Sequence, residues 1–149
     1  MKNIYERKFT IYRYIPYLDL NYVLKTNHTK NITMYTYRAK VDRVVDGDTL
    51  DLVIDLGFKI TTLQRIRLRG INTPETYNVK KDSEEYKRGM EAKEYVLKRM
   101  EENKYEVMVE TNKDVGKFGR YIGVIRLADS LISLNDDLVE KGLAVVAEY

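Results

Sequence analysis

Four short stretches carry the side chains able to do chemistry: Asp46-Gly47-Asp48-Thr49, Arg67, Asn72-Thr73-Pro74-Glu75 and Gly119-Arg120. They offer hard oxygen donors, one candidate base and two guanidinium groups. Carboxylate, amide and carbonyl oxygens suit Ca²⁺ or Mg²⁺, and guanidinium forks onto phosphate oxygens. A carboxylate can also align a water for attack. Together these are the parts with which a divalent cation cuts a phosphodiester. Asn72 is the irregular member, neutral where a third carboxylate would be the natural ligand.

Each stretch also has a plain structural reading. Asp-Gly-Asp suits a hairpin connection, and Thr-Pro-Glu an ordinary turn or helix start. Arg65, Arg67 and Arg69 alternate with Ile66 and Leu68, as a solvated strand face would. The chemical reading gains weight because that arginine stripe runs straight into Asn72-Thr73-Pro74-Glu75. Pro74 holds the residue before it extended, which gives the Thr73 carbonyl one direction. Lys117 and Phe118, just before Gly119-Arg120, are candidates for touching a nucleic-acid backbone and base.

Composition narrows the chemistry. The 149 residues suit one domain with a real core, at 44% hydrophobic and 33% charged. With no cysteine, thiolate metal sites, disulfides and cysteine nucleophiles are excluded. The single His28 lies in a polar stretch and reads as solvent-facing. Any metal should therefore be a hard, oxygen-bound cation. A net charge of +3 tolerates a polyanionic partner without requiring one. Arg13, Pro16 and Asp19 interrupt Ile11 to Leu20, so no secretory h-region is read, and an intracellular protein is expected unless it is already processed.

The elements that must position these residues follow from periodicity. Residues 1–36 form a Tyr-rich N-terminal extension, expected to pack on a main domain at 37–149. Tyr37, Ala39, Val41 and Val45 predict a first strand ending at Asp46-Gly47, and Leu50, Leu52, Ile54 and Leu56 a second. Phe58, Ile60, Ile66 and Leu68 predict a third strand running to Gly70. Glu84 to Glu102 changes to helical spacing through Tyr86, Met90, Leu97 and Met100, with Ser83 as N-cap and Asn103 as stop. Tyr105, Val107 and Val109 predict a fourth strand, Thr111 to Phe118 a polar loop, and Tyr121 to Leu127 a fifth strand. Leu134 to Gly142 predicts a short helix with Leu134, Leu138 and Val139 inward and Gly142 just past its end. Three strands, a helix, two strands and a helix give an α+β, mainly β fold: a five-stranded OB-fold Greek-key barrel with attached helices.

From Tyr37 to Tyr149, about three quarters of the chain, the sequence resembles the staphylococcal (micrococcal) nuclease-like family. The resemblance is carried by Val45-Asp46-Gly47-Asp48-Thr49, by Arg67 to Thr76, by Lys117-Phe118-Gly119-Arg120 and by Leu138 to Ala144. It implies a calcium-dependent nuclease acting on DNA and RNA with little sequence specificity and leaving 3′-phosphate ends. By this resemblance Asp48, Asn72 and the Thr73 carbonyl are metal ligands, with Asp46 supporting them. Glu75 is the general base or water-positioner, and Arg67 and Arg120 hold the scissile phosphate.

Departures from the family pattern refine these expectations. Asn72 keeps an oxygen but removes a charge, which should weaken Ca²⁺ binding or shift preference toward Mg²⁺ or Mn²⁺. Glu148 stands where the family has a base-binding tyrosine, with Phe118 and Tyr149 as partial replacements. The resemblance stops at Tyr149, short of a final helix, and the N-terminal extension is expected to cover the apolar surface left there. The alternative is a catalytically silent domain that binds nucleic acid or protein, and a generic OB-fold module is the third reading. A monomer with DNA or RNA as partner, no obligate protein partner and no membrane association is expected.

Overall fold

A computed structural model describes residues 35–115 and 120–148. The expected N-terminal extension therefore lies almost wholly outside the described residues, as do Lys117, Phe118, Gly119 and Tyr149. Strand β1 (Tyr35–Asp46) pairs antiparallel with β2 (Thr49–Asp55), and β2 with β3 (Thr61–Leu68). A two-residue strand β4 (Ile71–Asn72) precedes helix α1 (Glu84–Glu102). Then come β5 (Glu106–Val115), β6 (Tyr121–Arg126), helix α2 (Leu134–Glu140) and β7 (Val145–Val146). The sheet closes in the order β1-β2-β3-β6-β5, with β3 and β6 parallel and β5 returning to β1. This is the expected five-stranded OB-like barrel. The β4–β7 pair, which the sequence did not suggest, forms a separate two-stranded sheet.

The barrel interior is filled by alternate residues, among them Leu50, Leu52, Ile66, Leu68, Val109 and Ile125, all essentially inaccessible to water. In β1 the inward set switches from Ala39 and Val41 to Val44, leaving the expected Val45 only half-buried. Register shifts between Val41 and Arg43 and between Val44 and Asp46 are the cause. A bulge inserts a residue and so exchanges the two faces beyond it.

Other expectations shift for equally local reasons. The third strand does not begin at Phe58, because Gly57, Phe58 and Lys59 have φ of 79°, 53° and 63°. Left-handed backbone cannot enter a strand. Tyr105, also left-handed at φ 59°, precedes the fourth long strand instead of opening it. Thr111 to Val115, expected in a polar loop, instead continue β5 until Val115 faces Tyr121, and the rest of that expected loop lies outside the described residues. In α1 the Ser83 hydroxyl accepts from the Tyr86 amide as expected of an N-cap. The buried stripe, however, is Gly89, Ala92, Val96 and Met100, while Leu97 is exposed. Small residues mark where this helix comes closest to the barrel, and a count of large apolar residues misses them. Helix α2 ends at Glu140 with Lys141 as its cap, and Gly142 lies just past its end at φ 70°, as its sequence position suggests.

Polar ties hold the helices to each other and to the strands. Tyr95 on α1 donates to Asp137 on α2 at 2.7 Å, and its hydroxyl is pushed up to about 12 by burial and by that carboxylate. Arg99 forks onto Asp129 at 2.9 Å through two nitrogens. Buried Asn135 accepts from the Ile125 amide and donates to the Arg69 and Gly123 carbonyls, locking α2 to β6.

On the outer wall, Asp51 lies between Arg43 and Arg65, the latter bidentate at 2.7 and 2.8 Å. The hydrogen bond from Arg65 leads in holding its carboxyl below the ordinary aspartate value, against burial. A depressed folded-state value stabilises above the unfolded value, and that stability is lost as pH falls through the folded one. Asp51→Asn should therefore cost about 1 kcal/mol at neutral pH. It should also flatten the loss of stability below about pH 4, both read by urea unfolding at several pH values.

Candidate active site

Three chain segments meet at Asp48. The turn Gly47-Asp48 joins β1 to β2, and the Leu68 amide donates to the Asp48 carbonyl at 2.8 Å, which ties the turn to the end of β3. The Asp48 side chain is nearly completely buried. Its Oδ1 accepts from the Thr49 hydroxyl at 3.0 Å and from Arg67 Nη1, and its Oδ2 accepts from the Thr73 amide at 2.9 Å. A buried carboxylate so fully hydrogen-bonded is fixed in direction as well as position.

Arg67, facing Thr49 across the β2–β3 ladder, lies only 12% exposed. One end of its guanidinium meets Asp48 and the other donates from Nη2 to Asn72 Oδ1. The two side-chain oxygens expected to ligate metal thus converge on a single positive centre. Asn72 is held at its other side by the backbone, because β4 pairs Asn72 with Val145 of β7. The Ala147 amide donates to the Gly70 carbonyl at 2.9 Å and anchors the same pair of strands.

Asp46 sits apart from this contact. Its Oδ1 accepts from the Gly47 amide at 2.9 Å and from the Thr76 hydroxyl at 3.1 Å, so it fastens the far end of the Asn72–Thr76 loop. Glu75 lies between these fixed points. It is exposed, yet the protein behind it removes part of its hydration. That loss, with the charges of Asp46 and Asp48, pushes its carboxyl above the ordinary glutamate value against the pull of Arg67. Arg120, its Nε buried, directly precedes β6, one residue before the Ile66–Tyr121 pair of the parallel β3–β6 ladder.

Two glycines shape this cluster: Gly47, which the sequence marks only as a turn residue, and Gly89, which it does not mark at all. A Cβ on Gly47 would lie 2.9 Å from both the Thr73 methyl and the Ala92 Cβ. A Cβ on Gly89 would lie 2.6 Å from the Pro74 carbonyl oxygen and 3.1 Å from that of Glu75. Helix α1 therefore presses its backbone directly on the loop that carries Glu75. For Gly89 the small size it shares at helical spacing with Ala92 was the available signal, and it has meaning only once the loop is known to lie opposite.

A family model for staphylococcal nuclease homologues matches residues 65–149, more than half of the chain. The chain belongs to the staphylococcal nuclease homologue family. The matched span contains Arg67, Asn72, Thr73, Glu75 and Arg120. Asp46 and Asp48 precede it, and the geometry joins them to it. Among curated proteins none matches the chain.

As a metal site, the donor set is hard but lightly charged. Among the described residues no group of three His, Cys, Asp or Glu side chains is arranged to hold a metal. Asp48 and Asn72 nevertheless direct a carboxylate and an amide oxygen at one cationic position, and the Thr73 backbone is fixed beside them. These residues fit a hard divalent cation in type, with one charge fewer than two carboxylates would give.

Gly89→Ala sets two effects against each other. Alanine favours the helix by about 1 kcal/mol. A methyl placed 2.6 Å from a carbonyl oxygen forces the loop or helix to move, at a cost of about 1–3 kcal/mol. Net destabilisation is expected in chemical unfolding, with amide shifts at Thr73, Glu75 and Thr76 in NMR spectra. A variant more stable than the parent would show that the loop yields freely.

Proposed function

We propose that this domain is a metal-dependent phosphodiesterase that hydrolyses DNA or RNA with little sequence preference and leaves 3′-phosphate ends. The observation that carries this reading is the convergence of Asp48, Arg67 and Asn72 beside the loop that holds Glu75. Asp48, Asn72 and the Thr73 carbonyl would hold a Ca²⁺, Mg²⁺ or Mn²⁺ ion, and the ion would supply positive charge to the reacting phosphate. Because Arg67 already bridges the two side-chain oxygens, a cation held by them would share that position with its guanidinium.

The protein's own residues then have separate tasks. Arg67 and Arg120 neutralise phosphate oxygens as charge grows on them during in-line attack. Glu75 orients a water and accepts its proton. A carboxylate raised above its usual value is a better proton acceptor than an ordinary one, provided the pH keeps it ionised. Asp46 keeps the loop closed through Thr76. Recognition rests on backbone phosphate, so sequence preference should be slight.

A second reading, a catalytically silent domain that binds nucleic acid or protein, is favoured by Asn72 and by the absence of an acidic triad among the described residues. The deciding assay incubates the protein with single-stranded DNA, duplex DNA and RNA, each with Ca²⁺, Mg²⁺, Mn²⁺ or a chelator. Cleavage is expected with at least one metal and none with chelator; no cleavage under any metal overturns hydrolysis. Glu75→Gln should lower the rate on the order of 10²–10⁴-fold, and Arg67→Ala on the order of 10²–10³-fold. Cleavage that survives both would belong to another site or a contaminant. Asn72→Asp should tighten Ca²⁺ binding in calorimetry without nucleic acid, and unchanged affinity would remove Asn72 from the ligand set.

A further inference from the structure

The barrel has a mouth where β1, β3 and β6 begin and β2 ends. A cavity of about 240 Å³ opens there, with Tyr35, Tyr37, Tyr121 and Leu56 on its walls and Thr62, Gln64 and Thr111 among its polar groups. Tyr35 and Tyr37, two residues apart on β1, share a face, and their rings stack with centroids 6.3 Å apart and planes within 6°. We propose that this mouth is a base pocket for a single-stranded nucleic acid, distinct from the Asp48–Arg67 cluster; the proposal rests on the reading that the chain takes nucleic acid.

Four features of the cavity point to that occupant. It is smaller than the roughly 300–1,000 Å³ of pockets for drug-sized ligands, which suits one flat heterocycle and not a dinucleotide. Among the described residues none that lines it is charged, so a neutral base can enter while its phosphates stay outside. Its amide supplies an edge to recognise: Gln64 Nε2 donates to Thr62 at 2.7 Å, and Gln64 Oε1 carries no hydrogen bond among the described residues. An apolar peptide side chain seated there would leave that oxygen unmatched.

The fourth feature is continuity with the phosphate-binding arginines. Ile66 and Tyr121, paired across the β3–β6 ladder, both line the cavity. Their immediate chain neighbours are Arg67 and Arg120. A strand whose phosphates rest on those guanidiniums would have to run back along β3 toward Thr61 to bring a base to the mouth. At the rim, Leu56 leads into the left-handed tip Gly57-Phe58-Lys59, where Phe58 is 97% exposed beside a lysine. Aromatic surface interleaved with cations is how sequence-tolerant proteins hold unstacked bases. A duplex keeps its bases stacked and paired, so only a single strand can offer one.

Binding is tested in chelator, which separates it from cleavage. Fluorescein-labelled single-stranded DNA and RNA oligonucleotides and the matching duplex are titrated with the full chain, and anisotropy is read at several salt concentrations. Tyr35→Ala should weaken single-strand binding about five- to tenfold, as loss of one stacking partner does. The salt slope should stay unchanged because no phosphate contact is removed. Tyr35→Phe should bind like the parent, and Gln64→Leu should alter preference among homopolymer oligonucleotides while keeping the melting temperature. Parent-like binding by both Tyr35→Ala and Gln64→Leu, or an equal loss on duplex, overturns the pocket and leaves the proposed hydrolysis standing. Parent protein that binds single strands in this way yet cleaves nothing with any metal overturns hydrolysis and leaves the pocket standing.

Discussion

The buried carboxylate of Asp48 is the constraint on which the site depends. It sits in the β1–β2 turn, accepts from Arg67 on β3 and accepts from the Thr73 amide in the following loop. A buried charge with one partner would be a burden on stability, whereas one saturated by a guanidinium, a hydroxyl and an amide is a rigid joint. Three segments distant in sequence are thereby fixed to one another. Arg67 passes the constraint on to Asn72, and β7 holds Asn72 from the other side.

The loop from Asn72 to Thr76 has no regular structure beyond β4, yet it is pinned at each end and pressed from behind. Asp48 holds its start, Asp46 holds Thr76, and Gly89 lets α1 approach its carbonyls. Such clamping serves chemistry that needs a carboxylate at a set position without a strand or helix beneath it. The same arrangement raises the Glu75 carboxyl above its usual value, first because the packed protein behind it removes hydration and then because the acidic residues that fasten the loop stand close to it. One set of interactions therefore determines both the position and the basicity of the residue.

Much of the fold was legible because it rests on local alternation. The strands over Leu50–Ile54 and Tyr121–Leu127 could be read from period two, and α1 from its caps at Ser83 and Asn103. Errors gathered where a residue's role depends on its neighbours in space. Val44 replaced Val45 because a bulge reverses the faces of β1. Phe58 looked like strand and stands in solvent on left-handed backbone. Strands β4 and β7 are too short to show a period, and only their pairing makes them strands.

For the candidate site, the sequence alone determined which chemistry is possible. It supplied hard oxygen donors, a glutamate behind a proline and two arginines, and it excluded thiolate chemistry by composition. It could not determine that Asp48 and Asn72 share one guanidinium, that Asp46 serves Thr76, or that Gly47 and Gly89 must lack side chains. Those facts concern distances between residues 5 to 45 positions apart. Donor type is a property of each residue, while convergence is a property of the packed barrel, and only the tertiary structure decided it.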